Sequence, residues 1–362
     1  MIKQLSIIVL TLSLACGQKT GNSGLTESSD ESIQNPILNP DKRINCFIYH
    51  RFGDNRYPST NVPLEDFKAH LKYLKDAGFI VMSMSDAISY LKDDQPAGKV
   101  AVITIDDGFK SFYENGLPLL ESYGFPATLF INTETVGGSS YMDWNDLKDA
   151  RKRGIEIGNH THSHAFFLNI QEHERYDRFE SEINQCQDLI EKNMGITPKV
   201  FAYPYGEFDD KMKEIVRNAG FIAGLAQNSG VIDNDTDLMA CPRFPMASGF
   251  SDISGFKLKS NALPLKVNGT TSEHVLSDNF TPSLDFSIQN NNLRLNEMQC
   301  FIQGGACDLS IKEKGPGEYA IIARPDKSIE NRRRTLYTFT VQDQENKWYW
   351  FSHLWINPQI RD

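Results

Sequence analysis

Between Asn45 and Leu225 the chain alternates two hydrophobic periods. Short continuous apolar runs predict buried strands over 45–50, 79–82, 100–105, 127–132, 155–158, 200–203 and 221–225. Between them, apolar residues three and four apart predict helices. One is opened by Pro63, carries Phe67, Leu71 and Leu74, and is closed by Gly78. Others run near Ser85 to Leu91, up to Gly124, from Trp144 to Arg153, and from Asp210 to Ala219, and a long one carries Phe179, Ile183, Cys186 and Ile190. Strands alternating with helices imply a parallel sheet or barrel. Beyond about Gly249 the helical pattern gives way to alternating runs, such as Tyr319 to Ala323 and Tyr337, Phe339 and Val341. Turn-rich stretches such as Lys314-Gly315-Pro316-Gly317 separate them. This predicts a small β-sandwich. Its Trp348, Trp350 and Trp355 fit either the filling of that core, the simpler reading, or stacking on sugar rings.

At 362 residues the chain is long enough for one large domain and a smaller one. Its formal net charge of -10 argues against nucleic acid and anionic lipid surfaces as partners. Met1-Ile2-Lys3 and the apolar stretch from Leu5 to Leu14 form a charged region and a short hydrophobic region, too short to span a bilayer. Ser13-Leu14-Ala15-Cys16 resembles a bacterial lipoprotein cleavage site, with Ser13 where leucine is usual; a plain signal peptide with an incidental cysteine is the alternative. Gly17 after Cys16 would send a Gram-negative lipoprotein to the outer membrane. Residues 1–16 therefore read as a signal peptide and 17–43, rich in small polar residues, as a flexible tether. Residues 44–250 read as the main domain and 251–362 as the β-sandwich. The expected location is exported: periplasmic, anchored to the outer membrane by lipid, or secreted. Of the remaining cysteines, Cys300 and Cys307 are the best candidate disulfide, and Cys46, Cys186 and Cys241 have no assigned pairing.

The candidate chemistry begins where the 100–105 strand ends in Asp106-Asp107-Gly108. Asp-Gly is ordinary turn chemistry, but two adjacent carboxylates at a strand end also suit a divided task, one binding a metal and the other handling a proton. His160 and His164, four apart at the corner after the 155–158 strand, supply imidazoles for such a metal, with His162 between them pointing away. Two histidines and one carboxylate, with a position open for water, form a hydrolytic zinc-type ligand set. His50, Asp106, Asp107, His160, Tyr205 and Arg243 each follow a predicted strand, and in a β/α barrel such ends converge on one face.

Taken together, these segments resemble the NodB-homology polysaccharide deacetylases, carbohydrate esterase family 4, from about Asn45 to Met246. Thr104-Ile105-Asp106-Asp107-Gly108 is similar to the family's first motif, and His160-Thr161-His162-Ser163-His164 to its histidine motif. Phe201-Ala202-Tyr203-Pro204-Tyr205-Gly206 occupies the place of the third. The resemblance implies a distorted (β/α) barrel, with Asp106 as general base, Asp107, His160 and His164 as metal ligands, and the backbone N–H of Tyr205 facing the oxyanion. The arginine that usually opens the third motif is missing. Cys241-Pro242-Arg243-Phe244 looks like the variant of the branch that includes poly-N-acetylglucosamine deacetylases, where a later arginine orients the base. No histidine follows Leu263-Pro264-Leu265-Lys266, where the usual general acid would be sought. Tyr49-His50 resembles the first strand of the same branch, so His50 is the candidate acid, the alternative being a histidine hydrogen-bonded at the barrel rim.

The function so implied is metal-dependent removal of N-acetyl groups from an N-acetylglucosamine polymer, either peptidoglycan or poly-N-acetylglucosamine. Zinc is the expected metal, with cobalt and nickel also suited to the ligand set. The competing reading is a non-catalytic glycan-binding lipoprotein that keeps the barrel. In both, membrane contact is expected only through the lipid anchor.

Overall fold

A computed structural model describes residues 42–94, 96–271, 273–290 and 292–360. The expected signal peptide and residues 17–41 of the expected tether lie outside the described residues. No helix among the described residues is long and apolar enough to cross a membrane. Lys42 and Arg43 already belong to the barrel: the Lys42 ammonium is fully buried and donates to the carbonyl oxygens of Tyr90 and Asp93.

The apolar runs become the strands Arg43–Tyr49, Val100–Ile105, Ala127–Ile131, Ile155–Asn159, Val200–Ala202 and Ala223–Leu225, hydrogen-bonded in that order and all parallel. Ile80–Met82 joins the sheet beside Val100–Ile105. Because helices cover the strands, most residues on both faces are buried, which is why the sequence reads as continuous rather than alternating hydrophobicity. The intervening helices are Leu64–Asp76, Met84–Lys92, Leu117–Tyr123, Trp144–Lys152, Glu172–Met194 and Asp210–Asn218. Their ends follow local chemistry. Asp143 and Asp146 form a capping box, Asp209 caps the Met212 N–H, and Gly124 and Gly195 end helices in the left-handed conformation.

The curled sheet stays open between its first and last strands, and the segment from Cys241 to Pro245 bridges the gap. Cys241 pairs with Leu225 on one side, and Phe244–Pro245 pairs parallel with Phe47 and Ile48 on the other. Arg243 thus rides on the seam of the barrel rather than simply following a strand.

Past this seam a helix runs from Ile253 to Asn261, where the sequence pattern predicted none. Phe256, fully buried and stacked on His70 at 3.9 Å, fastens it to the barrel, while Leu258 stays exposed. Its hydrophobic face is too narrow to produce a helical period.

The C-terminal strands form a four-stranded sheet, ordered Leu263–Pro264, Trp348–Ile356, Arg334–Gln342, Gln299–Ile302, and a three-stranded sheet, ordered Leu284–Gln289, Glu318–Pro325, Cys307–Gly315. Phe286 of the second packs edge-on against Phe339 of the first at 4.9 Å. A disulfide joins Cys300 to Cys307, whereas Cys46, Cys186 and Cys241 are buried thiols. Trp355 lies in the apolar core of these strands, and Trp350 reaches back to pack edge-on against Phe244 of the seam. A buried ion pair crosses the same junction, Arg333 donating to both oxygens of Glu207 at 2.6 Å.

Candidate functional site

Asp106 and Asp107 leave the Val100–Ile105 strand in different directions. Asp107 takes a left-handed backbone conformation, φ 75°, and Gly108 follows with φ 74°. The two carboxylates therefore diverge, Asp106 into the barrel with no exposure and Asp107 toward the mouth. Among the described residues, five non-glycines have positive φ, and four of them, Asp107, Thr161, His164 and Tyr205, are at this site. Strain of that kind persists only where surrounding structure over-determines it.

The surrounding bonds supply that determination. Asn159 Oδ1 accepts from the Thr161 N–H at 2.9 Å, and Thr161 Oγ1 from the His164 N–H at 3.2 Å. Glu182, from the long helix, accepts from both the N–H and the hydroxyl of Ser163. His162 turns away to Thr133, with Nδ1 and Oγ1 2.9 Å apart. Glycine is required at position 158, where a Cβ would stand 2.4 Å from the Phe130 ring.

His160 and His164 converge, with their Nε2 atoms 3.1 Å apart, and Asp107 Oδ1 lies 3.5 Å from the first and 3.4 Å from the second. Metal–ligand distances of about 2.0–2.1 Å place tetrahedral ligand atoms about 3.3–3.4 Å from one another. The three donor atoms therefore fit a divalent cation of that size. Their chemistry fits as well. The His160 Nδ1–H donates to the Ala202 carbonyl at 2.7 Å, which aims Nε2 at the other two donor atoms, and a metal would displace the proton that Nε2 shares with Asp107. Burial pushes His164 down to about 4, with the neighbouring His160 adding to the shift, so its imidazole is neutral at pH 7. Burial alone would raise Asp107, but the hydrogen bond from His160 and the charge of His50 hold it well below the usual carboxylate range.

Asp106 stands beside this trio, its Oδ2 3.8 Å from His160 Nε2. Arg243 grips it with two bonds, 2.7 Å to Oδ1 and 2.9 Å to Oδ2, and spends its other donors on the Ala226 carbonyl and the Thr104 hydroxyl. Both side chains are fully buried. Burial favours the protonated acid, but the Arg243 and His160 charges outweigh it, and the Asp106 pKa lies below its ordinary value. His50 directly follows the first strand, whose Tyr49 carbonyl accepts from the Asp106 N–H, and it lies close enough to Asp106, Asp107 and His164 to act on them electrostatically. Tyr205 occupies a turn with φ 58°, its ring stacked on Phe166 at 3.6 Å and edge-on to His164 at 4.4 Å. All seven residues singled out in the sequence thus lie at one end of the barrel.

Comparison with known proteins identifies the domain. Residues 93–224 match the family model described as polysaccharide deacetylase. The chain carries a polysaccharide deacetylase (NodB) domain. The poly-beta-1,6-N-acetyl-D-glucosamine N-deacetylase of Staphylococcus aureus is 26% identical over 208 residues, which cover 54% of this chain and 71% of that one. YxkH of Bacillus subtilis is 25% identical over 210 residues, 58% of this chain and 73% of its own. Among solved structures, the Streptococcus pyogenes deacetylase PplD in complex with acetate covers 60% of this chain and 98% of its own, with a TM-score of 0.55 and 21% identity. IcaB from Ammonifex degensii covers 60% and 97%, with a TM-score of 0.52 and 21% identity. These structures share the deacetylase barrel fold.

Sequence reasoning missed the support behind this candidate site. Glu207, one residue past the Phe201–Gly206 motif, accepts from Arg333 and Arg334, while the Arg333 guanidinium lies over the Phe166 ring at 4.3 Å. Arg333 thereby braces both the turn that carries Tyr205 and the ring stacked on it. A lone acid after a motif and arginines 126 and 127 residues away give no periodic signal.

Proposed function

We propose that the protein is a metal-dependent hydrolase that removes N-acetyl groups from N-acetylglucosamine residues of a polysaccharide outside the cytoplasm, poly-N-acetylglucosamine or peptidoglycan. The observation that carries this reading is the pairing of two units at one barrel mouth: a buried carboxylate clamped by an arginine, and a His-His-Asp trio spaced for a divalent cation. The similarity to poly-beta-1,6-N-acetyl-D-glucosamine N-deacetylases favours an N-acetylglucosamine polymer. The N-terminal pattern supports export, with Cys16 as a lipid attachment site and 251–362 as an accessory domain to 44–250.

A divalent cation, zinc for preference, held by Asp107, His160 and His164 would lower the pKa of water toward neutrality and polarise an amide carbonyl. Asp106 is the base that takes the proton from the attacking water. It is ionised at neutral pH, and the Arg243 fork fixes both of its oxygens, so no reorientation is needed as the proton moves. The backbone N–H of Tyr205 is assigned to the oxyanion of the tetrahedral intermediate. The leaving amine needs a proton, because an amide anion is too basic to depart; His50 donates it, or Asp106 returns the one it took.

The test is acetate release from peptidoglycan, β-1,6-linked N-acetylglucosamine oligomers and chitooligosaccharides by zinc- or cobalt-loaded protein. Acetate is expected from at least one, and Asp106→Asn should abolish it while metal binding persists. Protein shown to hold metal, yet releasing no acetate from any of the three, refutes the proposal.

A further inference from the structure

The seam of the barrel and the C-terminal strands enclose a cavity of about 660 Å³, within the range of small-molecule sites. It is distinct from the metal trio. Asp233, on its wall, pairs with Arg43 at the amino end of the first strand, whereas the site carboxylates follow the carboxyl end of the neighbouring strand. The lining combines the aromatic rings of Phe208 and Trp350 with Asp233, Lys266 and Thr270.

Two polar atoms in this lining are buried without a hydrogen-bond partner among the described residues, Asp233 Oδ2 and Thr270 Oγ1. Asp233 is only 5% exposed. Its other oxygen, Oδ1, is occupied in its own turn, accepting from the Asp235 N–H at 3.1 Å and the Thr236 hydroxyl at 2.9 Å. Lys266 Nζ forms an ion pair with Oδ2 at 3.6 Å, too long for a hydrogen bond, and donates to Asp235. A buried carboxylate oxygen without a donor is costly, and a ligand that supplies one removes the cost.

This combination narrows the ligand. The carboxylates of Asp233, Asp235 and Asp237 outnumber Lys213 and Lys266 in the lining, which disfavours an anion, and a wholly apolar molecule would leave Oδ2 without a hydrogen-bond donor. A sugar ring has both an apolar C–H face for the aromatic rings and several hydroxyl or amino hydrogens for the carboxylate. We infer that this cavity is a second carbohydrate site, which binds an oligosaccharide of the hexosamine polymer through donors to Asp233 Oδ2 and a ring face against Phe208 or Trp350. The identity of the sugar rests on the deacetylase reading. Pro242 also lines the cavity, and the next residue is Arg243, so a chain bound there touches the segment that carries the clamp on Asp106.

Isothermal titration of the full chain carrying Asp106→Asn tests this, with chitooligosaccharides, β-1,6-linked N-acetylglucosamine oligomers and their deacetylated forms as separate arms. The arms distinguish substrate from product as the bound chain. Asp233→Asn keeps an Oδ1 acceptor for the turn but replaces Oδ2 with a donor. It is expected to remove one binding event, or weaken it at least tenfold. Thr270→Phe, which fills the cavity and leaves the Asp233 turn alone, should remove the same event. Stoichiometry and affinity unchanged by both substitutions overturn the inference. Acetate release by the unsubstituted enzyme is scored in parallel. Acetate with no Asp233-dependent binding overturns this inference alone, and Asp233-dependent binding without acetate from any substrate overturns the deacetylase reading alone.

Discussion

Arg243→Met removes the guanidinium but keeps an unbranched apolar stem, and it leaves the Asp106 carboxylate fully buried without the partner that forks onto both of its oxygens. Stripping one partner from a buried ion pair costs about 3–5 kcal/mol. At about 2 °C per kcal/mol for a chain of this size, the melting temperature at pH 8 should fall by about 6–10 °C. The loss has a sign in pH. Arg243 helps to hold Asp106 below its ordinary pKa against the opposing effect of burial. Without the arginine, burial is opposed only by the neighbouring histidines, the folded-state pKa rises, and the acid becomes cheaper to bury when protonated. The variant should therefore be penalised most at high pH and least near pH 4. Adding Asp106→Asn to Arg243→Met replaces the charge with a neutral amide and should recover most of the loss at pH 8. Thermal melts of the wild type, both single variants and the double variant, at pH 4.5 and pH 8, give the full cycle. If Arg243→Met melts like the wild type at pH 8, or if the double variant is no more stable than Arg243→Met alone, the clamp is not an isolated buried ion pair and the reasoning fails.

Zinc at about 100 times its Kd should stabilise the wild type by about 2.7 kcal/mol, seen as a rise in melting temperature that His160→Ala abolishes; an equal rise in that variant would remove His160 from the ligand set. His50→Ala is expected to lower kcat by about 10²–10⁴-fold with metal content unchanged, and an unaltered rate would return His50 to a rim residue. His70 is fully buried between Phe256, Tyr49 and the Ser251 carbonyl, and burial pushes it down to about 4 from 6.5. Its folded pKa is depressed, so its contribution is complete above pH 6.5 and is lost as pH falls toward 4, about 3 kcal/mol in all. Urea denaturation at pH 7 and pH 4.5 should show this loss added to that of His164 and the other buried histidines, and His70→Gln should make the acid limb shallower by its share; an equally steep limb in the variant would place the proton uptake elsewhere.

Much of the barrel was legible in the sequence for a physical reason. Strands covered on both faces, such as Val100–Ile105 and Ala127–Ile131, must be apolar throughout, and the carboxylates and histidines interrupt those runs where the strands end. The convergence of Asp106, Asp107, His160 and His164 followed from spacing and strand order alone. What could not be read was any feature set by a partner far along the chain or by a single anchoring residue. The Ile253–Asn261 helix is held by Phe256 on His70, not by a repeating face. The Glu207–Arg333 pair has no sequence signature, because each residue by itself is an ordinary surface charge.

That pair changes the role of the C-terminal strands. The turn at Tyr205 is strained and lies next to His164, so its conformation bears on the metal trio directly. Glu207 ends that turn fully within a buried contact, and its charge is tolerable there only because Arg333 and Arg334 reach it from the strand at Arg334–Gln342 and the residue before it. Trp350, from the next strand, packs on Phe244 beside Arg243. The C-terminal strands therefore support two parts of the candidate site, the Tyr205 turn and Arg243 on the seam. Arg243 immediately precedes a strand of only two residues, Phe244–Pro245, which needs something to hold it still, and Trp350 packed against Phe244 is in position to do so.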